Sequence, residues 1–367
     1  MKILIAPNSM KGSINAFRFS EIVEAAFLNC SGNLETRKIP VADGGDYTGE
    51  VLRQHFDAEK IQIKVTGPLR EKTDSKYFIS GQMAIIEMAD ASGMKLVEKT
   101  KLNPLKASSI GTGELILDAI SKGCTNIFLA IGGSATVDGG MGMLEALGFK
   151  FFDSNNKALK GNGENLIKVR HIQKGNFPDN ISIKIICDVG NLLLGDNGAA
   201  TVFAPQKGAT PRMVISLEEG LKNWSEVIIS ETGKDFSLCL GSGAAGGIPM
   251  SLLAFCNAEI VQGAEFVLSQ LNFDEHVRWA DIVITGEGKI DKQTLNSKAP
   301  MVVAAYAHKH KKPVFAIAGI AENEACNLFD GVLSFVNNQI SLDYAISNAE
   351  SLLFETASKL AKKLVNS

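Results

Sequence analysis

The feature that most constrains this chain is a recurring alternation. A short run of β-branched and aliphatic residues is followed by a glycine-rich or polar turn and then by an amphipathic stretch, the pattern of βα units in a parallel sheet. The first unit reads as a strand from Lys2 to Ala6, a loop through Gly12 and Ser13, and a helix near Ala16 to Leu28. The second runs from Arg37 to Val41 through Ala42-Asp43-Gly44-Gly45 into a helix ending near Phe56, and a third strand is expected at Ile61 to Val65. Toward the other end come Asp281 to Thr285, Pro313 to Ala318 with Gly319, and Val332 to Val336, separated by helical patterns. The middle differs in character. Gly67 to Ala89 reads as an antiparallel ribbon around Tyr77 to Ile79 and Met83 to Glu87, followed by Thr112 to Lys122 with Asn126 to Ile131, and by Ile181 to Cys187. A chain of 367 residues exceeds the roughly 250 to 300 at which single cores stop growing. The expected fold is therefore α/β: a Rossmann-like parallel-sheet domain from residues 1–66 plus 265–367, interrupted by an inserted second α/β domain at 67–264, with the active site in the cleft between them.

Composition narrows the function classes. Hydrophobic residues at 45% and charged residues at 21% are ordinary for a globular chain without long disordered tracts. With 37 basic against 40 acidic residues, nothing in the charge balance favours nucleic acid or an anionic membrane as partner. The N-terminal apolar run is too short for a signal peptide and no stretch reaches the ~18 to 20 apolar residues of a membrane span, so a cytoplasmic location is expected. Oligomeric state is left open. The six cysteines, Cys30, Cys124, Cys187, Cys239, Cys256 and Cys326, show no C-x-x-C and no metal-like spacing, and read as reduced, inert thiols. His308 and His310 are two residues apart, on different helix faces, and read as a solvated helix end.

Glycine, acid and hydroxyl residues concentrate just after the expected strands, where open α/β sheets bind ligands. Ile131 to Gly142 packs two glycine pairs, Ser134, Thr136 and Asp138 between a strand and a helix. Glycine allows close backbone approach and helix-start amides attract phosphate, so Gly132, Gly133, Ser134 and Thr136 are candidate phosphate or substrate contacts; a tight turn without ligand is the alternative. Gly241-Ser242-Gly243-Ala244-Ala245-Gly246-Gly247 matches G-x-G-x-x-G after the strand-like Phe236 to Leu240. Three readings stay open there: a mononucleotide or phosphate contact through Gly241, Ser242 and Gly243, a structural loop, or a dinucleotide fold with Glu259 as its acid. No Walker-type phosphate loop, protein-kinase motif set or G-x-S-x-G occurs. Phosphoryl transfer needs carboxylates for Mg2+, a cation for the phosphates and often a carboxylate base. Asp43, Asp188, Glu287 and Asp291 follow expected strands and could serve, or could simply cap helices. Lys11, Lys207 and Lys298 are candidate cations, with a solvated lysine as the plain alternative.

In order, Ala6 to Ser13, Pro40 to Gly45, Ile131 to Gly142, Cys187-Asp188-Val189, Gly198-Ala199 with Pro205 to Ala209, Gly241 to Gly247, and Val283 to Gly288 with Ile290-Asp291-Gln293-Thr294 resemble the bacterial glycerate kinase family of the 2-kinase type. The resemblance runs over essentially the whole chain. It implies phosphorylation of D-glycerate by ATP to 2-phosphoglycerate, with Mg2+ and a two-domain fold with a Rossmann-like half. It implies Asp188, Asp43 and Asp291 as catalytic acids, Asp188 and Glu287 as Mg2+ ligands, Ser9 and Lys11 near the substrate carboxylate, and Gly44, Gly45 and Lys298 also on the substrate side. The chain departs from the family pattern at Asn8, where aspartate is usual, at Met10, Asp46-Tyr47, Val137, Leu192 and Ser297. Asn8 removes a negative charge from the first substrate-facing loop. Two further functions stay open: a kinase of another small sugar acid, and a non-catalytic sugar-acid-binding regulatory protein.

Overall fold

The computed structural model describes residues 1–45, 47–291, 298–322, 326–336 and 340–365. Two compact units emerge, one of Met1–Asp43, Glu50–Leu52 and Gln262–Ser367, the other of Gly44–Gly49 and Arg53–Val261.

The sheet of the first unit has five strands in the order Gly331–Ser334, Val314–Ala321, Ile282–Ile290, Lys2–Ile5, Glu35–Lys38. All four pairings are parallel. Ile3, Leu4 and Ile5 are fully buried because a parallel strand is covered on both faces. The helices Ala16–Cys30 and Ala349–Val365 pack through Phe19, Phe27, Leu353 and Leu360 in one apolar cluster. Asn15 starts the first of them, its side chain accepting the Arg18 N–H at 2.8 Å.

Two strands differ from expectation here. The second lies at Glu35–Lys38, not 37–41, because Pro7 and Pro40 have no N–H to continue the ladder; Ile39 and Val41 still donate to the carbonyls of Ile5 and Pro7. The third from the chain's end runs on to Ile290, since its pairing with Val314–Ala321 continues through Glu287 and Lys289.

The second unit holds six strands in the order Ala258–Val261, Ser182–Ile186, Asn126–Ala130, Met83–Glu87, Lys72–Ser80, Glu59–Thr66. The first four are parallel and the last two add as an antiparallel edge. A three-stranded antiparallel sheet, Ala158–Leu159, Lys150–Phe152 and His171–Gln173, lies within the same unit. Glu59–Thr66, expected in the first domain, belongs to this sheet and moves the division well ahead of residue 66. Its alternating charged and aliphatic residues suit an edge with one wet face, and a doubly covered parallel strand would bury those charges. Phe236 to Leu240 forms turns, not a strand: Asp235 accepts the Ser237 N–H and O–H, and Leu238 and Leu240 are exposed. All six cysteines are free. No helix among the described residues is long and apolar enough to cross a membrane.

Candidate active site

In the first unit, the acids and amides of interest sit at the carboxyl ends of the parallel strands. Asn8, 7% exposed, follows Lys2–Ile5 and donates from Nδ2 to Asp43 Oδ2 at 3.1 Å, while its Oδ1 accepts the Ser9 N–H at 2.8 Å. An amide at position 8 therefore pairs with Asp43 directly. An aspartate there would set two carboxylates at hydrogen-bond distance, which demands a shared proton or a cation. Lys11 is exposed and Ser9 partly so. Glu287 lies inside its strand, not after it, between Gly286 and Gly288, and Asp291 follows the strand end; both are buried. Lys289 bridges Asp291 at 3.0 Å and Glu322 at 2.8 Å, and these two carboxylates hold its ammonium charged above its ordinary range. Lys298, partly buried, stands at the start of helix Ala299–Lys309. Gln293, Thr294, Ser297 and Asp46 lie outside the described residues. The histidine pair behaves as expected of a helix end, His310 Nε2 lying 2.8 Å from Asp274 Oδ1.

In the second unit, three strand ends and one loop converge. Gly44 lies so close to the Ser182–Ile186 strand that a Cβ would stand 2.7 Å from the Ile186 carbonyl oxygen, and its φ of +88° suits glycine alone. The Gly132 N–H donates to the Gly44 carbonyl at 3.2 Å, and Gly49 N–H donates to Glu87 Oε1 at 2.7 Å. Gly44 thus lies at the ends of the strands that lead to Gly132 and Asp188, and Gly49 at the end of the strand bearing Glu87. Asp188 is partly buried next to Cys187, whose thiol is pushed up to about 11 by burial and so stays protonated. An open groove of about 540 Å³, lined by Gly190, Asn191, Leu192, Leu194, Asp196 and Asn197, begins two residues beyond Asp188.

Glu87 was not singled out from the sequence. Burial, with Asp90 adding its charge, pushes its carboxyl up to about 7, against the pull of the Gly49 N–H. The signal was present: Glu87 ends a strand, but reading that strand as half of a ribbon hid its parallel pairing with Asn126–Ala130.

The two glycine-rich segments separate. In Ile131 to Gly142 only Gly132 and Gly133 are partly exposed; Ser134, Thr136 and Asp138 are buried. Asp138 accepts from Ser109 N (2.7 Å), Ser109 Oγ (2.8 Å), Gly140 N (3.2 Å) and Gly142 N (3.2 Å), and burial pushes its carboxyl upward against those four bonds. Lys207, also buried, donates to Ser134 Oγ at 2.8 Å and the Thr136 carbonyl at 2.7 Å. Gly241, Ser242 and Gly243 are all buried. Ser242 Oγ donates to the Ser237 carbonyl at 2.9 Å, and a Cβ on Gly243 would stand 2.1 Å from the Leu192 carbonyl oxygen.

Among the described residues no three His, Cys, Asp or Glu side chains cluster as a protein-only metal site. Mg2+ shared with nucleotide phosphates needs only one or two carboxylates, and Asp188, Glu287 and Asp291 are hard oxygen donors of that kind. The partly exposed Gly132–Gly133 turn is likewise a surface of the kind that a phosphate chain requires, whereas the close approach at Gly44 is to the protein's own Ile186 carbonyl. The residues present fit both groups.

The glycerate kinase family profile matches residues 3–365. A glycerate kinase of Halalkalibacterium halodurans is 40% identical, covering 98% of this chain and 97% of its own. The glycerate 2-kinase of Escherichia coli K12 is 40% identical over 99% of this chain and 98% of its own. A crystal structure assigned to glycerate kinase 2 from Salmonella typhimurium LT2 superposes with a TM-score of 0.86 at 38% identity, covering 100% of this chain and 98% of the other. With the whole length matched, the chain belongs to the glycerate kinase family.

Proposed function

We propose that this protein phosphorylates D-glycerate at its 2-hydroxyl, with ATP as donor and Mg2+ as cofactor, giving 2-phosphoglycerate. The observation that carries the reading is the arrangement of Gly44, Gly132 and Asp188 at neighbouring strand ends in a chain matched over its full length to a glycerate 2-kinase. The bound Mg2+ nucleotide supplies the activated phosphoryl group and screens its charge.

The chain's own groups do the rest. Asp188 accepts the proton of the substrate hydroxyl, as a carboxylate within reach of an acceptor alcohol does in other phosphotransferases. The candidate Mg2+ ligands are Glu287 in the first unit, with Asp291 beside Lys289 in a supporting role, and Asp188 in the second. Backbone at Gly132 and Gly133 lets phosphate approach where a side chain would obstruct it. Lys11 and Ser9 receive the glycerate carboxylate, Gly44 and Gly45 shape the floor beneath the substrate, Lys298 adds a cation, and Asn8 fixes Asp43 in one orientation. The segment Gly241 to Gly243 supports the Asn191–Leu192 chain from behind rather than contacting nucleotide.

A coupled assay of ADP release with ATP, Mg2+ and D-glycerate tests the reading. Glycerate-dependent ADP formation is expected; thermal stabilisation by glycerate without ADP formation would establish a binding protein instead, and turnover of another sugar acid alone would reassign the substrate.

A further inference from the structure

Lys207 is 2% exposed, and it lies against Ser134 at 4% and Thr136 at 0%. A lysine ammonium is seldom buried, because losing its hydration costs several kcal/mol unless polar partners replace the water. Here the partners are specific. Nζ donates to Ser134 Oγ at 2.8 Å and to the Thr136 carbonyl at 2.7 Å, two points on the arc that leaves the exposed Gly132–Gly133 turn. Burial pushes the Lys207 ammonium down to about 7, and the charge of Asp138, itself fixed by four donors, opposes that fall. The flanks of the turn are held by neutral bonds, Met94 N–H to the Gly133 carbonyl at 2.9 Å and Ala135 N–H to the Ser92 carbonyl at 2.9 Å. Lys207 is thus the ionisable contact in an otherwise neutral mounting.

The direction of the Ser134 bond matters. In its protonated form Lys207 has no lone pair, so it donates and the Ser134 oxygen accepts. The Ser134 proton is left to point elsewhere, and no acceptor takes it among the described residues. Thr136 Oγ1, fully buried, also has no hydrogen-bond partner among them. A buried amine, positive when protonated, bonded to Ser134 beside the unpartnered Thr136 hydroxyl on the arc that leaves a glycine turn, is a backing suited to phosphate oxygens, whose negative charge favours the protonated amine.

We infer that Lys207 is a positioning residue for the nucleotide: acting through Ser134, it holds and polarises the Gly132–Gly133 turn against the phosphate chain of ATP. This rests on the proposed reading of that turn as the phosphate contact.

The test compares Lys207→Met, Ser134→Ala, their double variant and Gly133→Ala in the full-length enzyme, measuring kcat, separate KM values for ATP and D-glycerate, and melting temperature. Expected is a rise of about tenfold in KM for ATP in K207M and in S134A, the size of one lost charge-assisted hydrogen bond, with KM for glycerate changed less than threefold. The double variant should be no worse than the poorer single one, since both act along one path. A lowered melting temperature with both KM values unchanged, equal rises in both, or multiplying effects in the double variant would overturn the inference. If K207M is recovered only unfolded, S134A decides alone: a rise confined to ATP supports the inference and no change refutes it. G133A keeps the two readings apart. A rise in KM for ATP there with none in S134A and K207M leaves the phosphate turn standing and removes Lys207 from it, while no rise in any variant removes the turn itself.

Discussion

The segments Ile131 to Gly142 and Gly241 to Gly247 share their ingredients, glycine pairs set around a serine, yet they occupy opposite situations. The first presents Gly132 and Gly133 at a strand end, beside Gly44. The second is buried from Gly241 to Ala244, and its Gly243 N–H donates to the Asn191 carbonyl at 3.0 Å. Glycine serves close approach to the protein's own chain in both, Gly132 to Gly45 and Gly243 to Leu192, but the first segment also leaves Gly132 and Gly133 partly exposed. A glycine-rich motif therefore reports crowding and does not report what does the crowding. The strand that precedes it does: Asn126–Ala130 leads into the first segment, whereas turns lead into the second.

The comparison can be broken at several points. The largest effect is expected at the open edge itself. Asp188→Ala should lower kcat by about 10²- to 10⁴-fold, the range for losing a general base, while the melting temperature moves little. A folded D188A with turnover within a factor of ten of the parent would remove Asp188 from the chemistry. The buried segment should respond in stability instead. Gly243→Ala drives a Cβ into the Leu192 carbonyl, and overpacking against backbone should cost about 3 kcal/mol. A urea midpoint near that of the parent, or a KM shift without a stability loss, would show that Gly243 meets ligand and not chain.

Glu87 offers a test through pH. Its ordinary value is 4.5 and burial raises it to about 7. Between those values the folded chain keeps the proton that the unfolded chain has released, so stability falls as pH rises through the window and stays low above it. Glu87→Gln removes the ionisation. It should be more stable than the parent at pH 8, by up to about 3 kcal/mol if the whole shift is realised, and equal to it below about pH 4.5. Parallel stability profiles for parent and variant would contradict the raised carboxyl. The smallest effect belongs to Gly133→Ala. At φ of +71° the left-handed backbone should cost about 1 to 2 kcal/mol, read as a modest drop in urea midpoint. No drop would mean that the turn is freer than the structure shows.

The covered parallel strands were legible because they must be apolar throughout, as Ile3 to Ile5 and Ile282 to Ile284 are, whereas the partly exposed Ala258–Val261 was not read as a strand. Glu59–Thr66 was misplaced although its alternation, with Val65 buried and Glu59, Lys60, Gln62 and Lys64 exposed, is the mark of an antiparallel edge. Leu238 and Leu240 suggested a strand by composition, but Asp235 turns the chain and leaves both in solvent. For the candidate site, end-of-strand placement pointed to Asp188, Asp291 and Gly132, and the structure puts each just beyond a strand end. What no local pattern could show was long-range: Gly49 meets Glu87 across 38 residues and Lys207 meets Ser134 across 73. Lys207 read as a candidate cation with a solvated lysine as the alternative, and its burial was hidden because burial of a lysine is decided by partners distant in sequence. Asn8 was visible as a lost charge, and only the structure shows the amide turned to Asp43.

The most direct measurement is the ³¹P spectrum of the product formed from ATP, Mg2+ and D-glycerate. Phosphorus coupled to the single proton on C2, a doublet, is the predicted result. A triplet from the two C3 protons would place the phosphate on the other hydroxyl, and no phosphoester signal in a protein that still binds glycerate would contradict the proposed activity altogether.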